Sequence, residues 1–283
     1  MKLLNTSKKL LLFALFGLTL FFGYSQLDST TLKKNKIWNT LKFDGTVLIN
    51  SVGNAFTQPL RWQGNDFLTA GGIVAGTSIL YLADNEAQDF FLRQEKDIPN
   101  MVQDFGWYFG SPQNFFIISA GIYGFGLITT NEKVRRTGVL IISSAVTSGL
   151  ISSLTKTVVG RSRPNNGNYD HFEPFSSEAG FHSFPSGHSV LSFTMAHAIA
   201  KQFENIWIKA GIYAIGSIAP ISRLWANAHW VSDVGFGIAL SIVVVDGIDN
   251  FMKKKEYYDY QQPKKISWNL AVGRGTIGVV GTF

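Results

Sequence analysis

Apolar segments of about 14–18 residues recur along this chain, and they restrict its fold more than any other feature. None of them shows the alternation of apolar and polar residues that is typical of a β-strand. Each is long enough for a buried helix but falls short of the ~20 residues that cross a membrane. The pattern predicts an all-α bundle of five to six apolar helices, either soluble or membrane-embedded. The segments are 67–83, 115–128, 139–154, 186–200, 206–221 and 231–248.

The composition lies between those of soluble and polytopic membrane proteins. Hydrophobic residues make up 46% of the 283 residues and charged residues only 16%, yet the mean hydropathy is only +0.11. The net charge of +6 favours anionic partners, but the basic residues lie at segment ends and not in a stripe of the kind that binds nucleic acid. The absence of cysteine excludes disulfides, thiolate metal sites and a cysteine nucleophile.

Residues 1–25 have the organisation of an export signal peptide. Three lysines precede the apolar run 10–22, which is too short to span a membrane, and small residues follow it. We expect cleavage after Ser25, and an uncleaved membrane anchor is the alternative. Export implies that at least the active face of the protein lies outside the cytoplasm.

The remainder of the chain divides into three parts without an evident linker. The polar N-terminal segment, 26–66, is expected to form short amphipathic helices or loop. The helical domain covers 67–250 and contains an amphipathic, surface-lying region at 85–112. In the C-terminal tail, 251–283, alternating apolar residues precede Gly273-Arg274-Gly275, which predicts a short β-hairpin.

Charged and histidine residues form three clusters, each at the edge of an apolar segment. Their types suit a phosphate site, because arginine forks bind phosphate oxygens in pairs and a lysine adds positive charge. In the third cluster, a histidine and an aspartate are four residues apart, which predicts one helical turn on a shared face. The clusters are Lys156 with Arg163 and Pro164; Pro185-Ser186-Gly187-His188; and Ser222-Arg223 with His229 and Asp233.

The chemistry that these residues favour is transfer of a phosphoryl group. Ser186 is a good N-cap, and free N–H groups at a helix start favour an anion. His229, with its tautomer fixed by Asp233, is a candidate nucleophile, and His188 is a candidate general acid. No carboxylate cluster indicates a metal ion, and the three cations make one unnecessary.

Each cluster taken alone also has an ordinary structural explanation. Lys156 and Arg163 stand where basic residues commonly end a membrane helix. His229 and Asp233 equally suit an ordinary pair on a helix surface. The remaining polar candidates are interpreted as structural: Arg161, His171, His182, His197 and Arg274.

Taken together, the clusters Lys156-x6-Arg163-Pro164, Pro185-Ser186-Gly187-His188 and Ser222-Arg223-x5-His229-x3-Asp233 resemble the three-part signature of the type 2 phosphatidic acid phosphatase (PAP2) superfamily. The resemblance covers roughly residues 67–250 and implies a helical, membrane-embedded phosphatase domain that needs no cofactor. It assigns phosphate binding to Lys156, Arg163 and Arg223 with Ser186 and Gly187. It makes His188 the general acid, His229 the nucleophile and Asp233 its orienting partner.

The function expected from this resemblance is hydrolysis of a lipid phosphate or lipid pyrophosphate through a phosphohistidine intermediate. One alternative is a periplasmic acid phosphatase that acts on small phosphate esters. Another is a vanadate-dependent haloperoxidase, which is disfavoured because the loop 165–184 is short. A non-enzymatic protein is disfavoured because every catalytic position is filled. The expected partners are the phosphorylated substrate and the membrane, with no nucleic acid.

The expected location is the envelope of a bacterial cell, with the active site facing the periplasm; a soluble periplasmic protein is the alternative. Basic residues concentrate on the face opposite the three clusters, which the positive-inside tendency assigns to the cytoplasm. A cleaved signal followed by six full spans would instead put the clusters in the cytoplasm, so the segment 67–83 is expected not to cross fully. The basic residues are Lys133, Arg135, Arg136, Lys201, Lys209 and Lys253 to Lys255.

Overall fold

The computed structural model describes residues 34–259, 267–273 and 276–282. The expected signal peptide, 1–25, lies outside the described residues. Within them are nine α-helices, two short 3₁₀ helices (Gln58–Arg61 and Ala179–Phe181) and two strands. The α-helices are α1 (Lys34–Thr57), α2 (Gly64–Leu82), α3 (Asp84–Glu95), α4 (Asn100–Phe109), α5 (Pro112–Ile128), α6 (Glu132–Val159), α7 (Gly187–Ala200), α8 (Ile206–Trp225) and α9 (Val231–Lys254). The strands are β1 (Ser267–Gly273) and β2 (Thr276–Thr282).

The helical bundle expected from the apolar segments is confirmed. Each of the six segments corresponds to one helix, α2 or one of α5 to α9. The longest, α6, begins after Asn131, whose side chain accepts a hydrogen bond from Val134 N–H, and ends at Gly160, which has a left-handed φ of 58°. In the C-terminal tail, where a hairpin is predicted, β1 pairs antiparallel with β2.

The N-terminal segment differs from its prediction, because residues 34–57 form one continuous helix of 24 residues. Contacts with distant residues stabilise it. Asp44 is buried and accepts hydrogen bonds of 2.8 Å from both Tyr123 and Tyr258. Val47, one helical turn further on, is buried in the main apolar core. These contacts bind α1 to α5 and to the segment after α9.

Helices α6, α7 and α9 form the centre of the bundle. Their buried faces combine aliphatic residues, such as Leu140, Met195 and Val245, with small hydroxyl residues. Some of these hydroxyls donate within their own helix, as where Ser148 donates to the carbonyl of Ser144 at 2.7 Å. Small buried side chains allow the helices to approach closely.

A cluster of charged side chains connects these three helices at one end of the bundle. At this end α6 begins, and α7 and α9 end. The carboxylate of Asp249 is buried and forms ion pairs with three basic side chains. Arg136 reaches it from α6, Lys201 from the end of α7 at 3.1 Å, and Lys253 from the next turn of α9 at 2.8 Å. Because a buried carboxylate is costly without such partners, this cluster fixes the helix ends.

Two helices, α6 and α9, are long and apolar enough to cross a membrane, and α2 with α3 would make a third as one broken span bent by 64°. None of the residues of α2 is buried, and its apolar side chains are highly exposed; Leu68 is 74% exposed and Leu82 is 79% exposed. Apolar surface of this extent is stable against lipid and not against water. The chain is accordingly a membrane protein.

Close packing of α5 on α6 is predicted to depend on Gly138. A Cβ added there would lie 2.8 Å from both Cα and Cβ of Tyr123, so α5 would have to move. Gly138→Ala is expected to cost about 1–3 kcal/mol and to lower the unfolding temperature in detergent. Gly149→Ala is the control on the same helix, because its Cβ would meet no atom within 4 Å and alanine favours a helix by about 1 kcal/mol. Equal unfolding temperatures for the two variants would contradict this packing.

Candidate active site

The three sequence clusters meet at one end of the bundle, where α6 and α8 end and α7 and α9 begin. Lys156 lies in the last turn of α6, and Arg223 lies in the last turn of α8. Ser186 is the N-cap of α7, and His229 precedes the N-cap of α9. The backbone N–H of Ser186 donates to the backbone carbonyl of Asp233 at 3.1 Å. The second and third clusters are therefore joined directly.

The ring of His229 is held between a cation and a carboxylate. Its Nε2 lies 3.3 Å from Arg163 Nη1, and its Nδ1 lies 3.5 Å from Asp233 Oδ2. Because a guanidinium only donates hydrogen bonds, Nε2 must be the accepting nitrogen, and the proton therefore lies on Nδ1, facing Asp233. Burial lowers the pKa of His229 to about 4, although the hydrogen bond with Asp233 acts in the opposite direction. At neutral pH, Nε2 is therefore unprotonated and keeps its lone pair.

Asp233 is fully buried, and both of its carboxylate oxygens are occupied. Oδ2 accepts hydrogen bonds from the Ser183 hydroxyl and, at 2.9 Å, from the backbone N–H of Trp230. Oδ1 accepts one from Arg161 Nη1 at 2.7 Å. The expectation that His229 and Asp233 share a helix face is wrong, because α9 begins only at Val231 and Asp233 caps its first turn. The two side chains meet across the start of the helix instead.

The two arginines predicted to bind phosphate are each held by neighbouring groups. Arg163 donates from Nη1 to the carbonyl of Ala228 at 3.0 Å and from Nε to that of Ala179 at 3.1 Å. Burial lowers the pKa of Arg163, which nonetheless stays charged at neutral pH. Arg223 donates from Nε and Nη2 to the Ser222 hydroxyl, at 3.2 and 3.1 Å. Both guanidinium groups are therefore oriented in advance.

His188 lies in the first turn of α7 and has one nitrogen available for chemistry. Its Nε2 is buried and has no hydrogen-bond partner in the described part of the chain. Its ring centroid lies 5.4 Å from that of Trp107, whose indole also lies 4.4 Å from the guanidinium carbon of Arg223. Burial, followed by the charges of Arg223 and His229, lowers the pKa of His188 to about 3. A bound anion would oppose the effect of the cations and favour protonation.

Lys156 supports the loop that leads into α7. Its Nζ donates to the carbonyl of His182 at 2.8 Å and to that of Pro185 at 2.5 Å, and it lies 3.4 Å from the carbonyl of Ser183. Its positive charge also lowers the pKa of His229, although burial is the larger cause of that shift. The structure thus brings Lys156 beside the site, and its direct contact with phosphate stays a prediction.

The start of α7 provides the backbone part of the site. The Ser186 side chain accepts a long hydrogen bond of 3.5 Å from the Ser189 N–H, as an N-cap does. A Cβ added to Gly187 would meet no atom within 4 Å, so the backbone borders open space there. Free N–H groups at such a helix start favour an anion.

Sequence reasoning missed several residues of this site. Ser183 and Arg161 lie only a few residues from the first two clusters. That proximity was the one feature of the sequence that could have indicated a place in the site. Trp107 belongs to the amphipathic region 85–112, where nothing local indicated a contact with His188. Asp84 directly follows the apolar segment 67–83, and nothing in the local sequence indicated that it binds Arg161.

Among the described residues, no group of three or more histidine, cysteine, aspartate or glutamate side chains could hold a metal ion. The acidic groups near His229 are instead paired with a cation, as Asp233 is with Arg161. The chemistry available to the site is therefore that of cations, two imidazoles and a helix N-terminus. Such a set suits in-line transfer of a phosphoryl group.

The chain is similar to a family of known proteins and to several named relatives. Residues 137–256 match the PAP2 superfamily, and this range includes every residue that the sequence predicts for the site. The lipid A 1-phosphatase of Rhizobium etli is 30% identical over 194 residues, which cover 64% of this chain and 81% of that protein. Phosphatidylglycerophosphatase B of Bacillus subtilis is 30% identical over 131 residues, which cover 41% of this chain and 60% of that protein.

A solved transmembrane PAP2-type phosphatidylglycerolphosphate phosphatase from Bacillus subtilis aligns with a TM-score of 0.48 and 21% identity, covering 65% of this chain and 95% of that one. The similar proteins are named as phosphatases, and this chain is an enzyme of the same class, a phosphoric monoester hydrolase. On the family match and on its similarity to the Rhizobium etli protein, the chain belongs to the PAP2 superfamily.

Proposed function

We propose that the chain hydrolyses a lipid phosphate or lipid pyrophosphate without a metal ion, through a phosphohistidine intermediate, at the outward face of a membrane. The observation that carries this proposal is the orientation of His229. Its Nε2 lies 3.3 Å from the Arg163 guanidinium while Nδ1 faces Asp233. A nucleophilic nitrogen is thus held beside a cation that binds phosphate, and its proton is on the opposite side of the ring.

In the first step, the lone pair of His229 Nε2 attacks phosphorus, and the bond from phosphorus to the leaving oxygen breaks. His188 donates a proton to that oxygen, so the lipid leaves as an alcohol, or as its monophosphate when the substrate is a pyrophosphate. Arg163 and Arg223 stabilise the negative charge on the phosphoryl oxygens during the transfer. Asp233 stabilises the phosphorylated imidazole by accepting its Nδ1–H.

In the second step, a water molecule replaces the histidine on phosphorus. The neutral His188 accepts a proton from that water, whose oxygen attacks phosphorus. The phosphorus–nitrogen bond breaks, and its electron pair returns to His229 Nε2. Inorganic phosphate leaves, and both histidines can begin another cycle.

Two features support a lipid as the substrate. The similar proteins with known names include a lipid A 1-phosphatase and a phosphatidylglycerophosphatase B. The exposed apolar face of α2 also favours contact with lipid, and α2 leads directly into α3, whose first residue binds Arg161 beside the site. A site at the end of apolar helices is accessible to a headgroup whose acyl chains stay in the bilayer.

The outward orientation is supported by the distribution of charge. Basic side chains gather around Asp249, at the end of α6, α7 and α9 that lies away from the site. Lys133 joins them by donating to the carbonyl of Gln202 at 2.8 Å. Basic residues favour the cytoplasmic side of a membrane, so the site faces the periplasm of a bacterial envelope.

The substrate class is tested with purified full-length protein in detergent and in the presence of EDTA. Phosphate release from phosphatidic acid or phosphatidylglycerol phosphate is expected to be faster, in kcat/KM, than release from p-nitrophenyl phosphate. An equal or greater kcat/KM for the small ester would favour a soluble-type acid phosphatase instead. Loss of activity with EDTA would contradict the metal-independent mechanism.

The nucleophile is tested by trapping the phosphoenzyme from a substrate labelled in its phosphoryl group. Acid-labile, base-stable label is expected on the wild-type protein after rapid quenching, and none on His229→Ala, which lacks the attacking nitrogen. His171→Ala is the control, because this ring is half exposed and belongs to the loop; its labelling should match that of the wild type. Label on His229→Ala at the wild-type level would refute the assignment.

A further inference from the structure

A second buried carboxylate, outside the three sequence clusters, reaches the site from the N-terminal half of the chain. Helices α2 and α3 meet at a bend of 64°, and Asp84 is the first residue of α3. Its side chain is buried. Oδ1 accepts a hydrogen bond from the Ser232 N–H at 2.9 Å, and Oδ2 accepts one from the Ser232 hydroxyl at 2.7 Å. Asp84 therefore contacts the residue that precedes Asp233.

Arg161 connects the two carboxylates. Its Nη1 donates to Asp233 Oδ1 at 2.7 Å, and its Nη2 donates to Asp84 Oδ2 at 2.6 Å. The guanidinium is also enclosed by aromatic rings, with its carbon 4.9 Å from the centroid of Tyr81 and 5.4 Å from that of Trp230. Arg161 has only 2% of its surface exposed, so this charge is desolvated and depends on its two anionic partners.

Arg161 contacts the oxygen of Asp233 that does not face the nucleophile. Arg161 occupies Oδ1, whereas Oδ2 is the oxygen that faces His229 Nδ1. Arg161 gives Asp233 a single hydrogen bond, and its guanidinium is itself held by Asp84, by the Ser232 hydroxyl and by the carbonyl of Tyr169. The donor that faces Oδ1 therefore has a fixed position. Rotation of the Asp233 carboxylate would break the bond with Arg161 as well as the bonds of Oδ2 with Ser183 and the Trp230 N–H. Arg161 is therefore one of the groups that orient Oδ2 toward His229.

The charges explain why a second carboxylate is present. If Arg161 were paired with Asp233 alone, its positive charge would cancel much of the negative potential that stabilises a charged His229 ring. Asp84 restores that potential, because two carboxylates and one guanidinium sum to one negative charge. His229 thus retains an anionic partner although that partner is bound to an arginine.

We propose that Arg161 and Asp84 are positioning residues of the phosphatase reaction: Arg161 orients Asp233 toward His229, and Asp84 holds Arg161 and offsets its charge. This inference rests on the proposed role of His229 as the nucleophile. It assigns a role to residues that lie outside the three clusters, one of which, Asp84, also lies outside the matched range 137–256. Asp84 lies at the bend between α2 and α3, where it pairs with Arg161.

The proposal is tested by the pH dependence of kcat/KM, whose acid limb reports protonation of the His229–Asp233 pair in the free enzyme. Arg161→Gln removes a positive charge, so the pair should bind its proton more tightly and the limb should move to higher pH. Asp84→Asn removes a negative charge and should move the limb to lower pH. Each displacement is expected to be about one pH unit. The charged groups that also face His229 are unchanged in both variants: Lys156, Arg163 and His188.

The same variants are expected to lower kcat by roughly ten-fold or more with a smaller change in KM, because phosphate binding is not their role. Ser232→Ala is the matched control. It removes a hydroxyl that contacts both Arg161 and Asp84 at 2.7 Å, but it changes no charge. Its unfolding temperature should fall while its acid limb stays at the wild-type pH. Arg161→Lys, which retains the charge, should likewise leave the limb in place and recover part of kcat.

Opposite displacements of the acid limb in the two charge variants would support the proposal. If the contacts were merely structural, the variants would lose stability but their acid limbs would not move. Limbs at the wild-type position, or displaced in the same direction, would overturn it. If Arg161→Gln does not fold, Asp84→Asn decides alone, and an unmoved limb in that variant overturns the proposal. Trapping of phosphohistidine on the wild-type protein distinguishes failure of this proposal from failure of the proposed function. If no phosphohistidine is trapped, the proposed function itself fails. If it is trapped but the acid limbs of the variants do not move, only the positioning roles are refuted.

Discussion

The carboxylate of Asp233 and its own backbone carbonyl are the groups on which the geometry of the site depends. The carbonyl accepts the N–H of Ser186 and so joins α9 to the start of α7. The carboxylate accepts hydrogen bonds from Ser183, from the Trp230 backbone and from Arg161. Segments far apart in the sequence are thereby fixed to one residue. Because these bonds are buried, loss of one would leave a polar group without a partner and away from water, which is costly in free energy. The arrangement is therefore rigid.

Burial and the neighbouring cations together lower the pKa values of both histidines. Burial is the main cause of their low pKa values, about 4 for His229 and about 3 for His188, and the neighbouring positive charges lower them further. One consequence suits a nucleophile, because His229 stays neutral and keeps its lone pair. The other bears on the proposed acid, because the negative charge of a bound phosphate would raise the pKa of His188 and favour its protonation.

Local patterns were sufficient to predict the six apolar helices and the residues of the three clusters, because those depend on short-range spacing. They were insufficient for the single continuous helix α1, which is stabilised by contacts with distant residues such as that of Tyr258 with Asp44. They also missed Trp107 and Asp84, which reach the site only because α4 and α3 pack beside it. The contact between His229 and Asp233 was expected for the wrong reason, since a capped helix start and not a helix face brings them together.

The central claim, that these segments form one phosphate site with His229 as the nucleophile, is tested most directly by a crystal structure of the protein with orthovanadate. We predict vanadium bonded to His229 Nε2, with its oxygens contacting the guanidinium groups of Arg163 and Arg223 and the N–H of Gly187. His188 Nε2 should face the apical oxygen opposite His229. Vanadate bonded to another side chain, or bound away from the start of α7, would contradict the account.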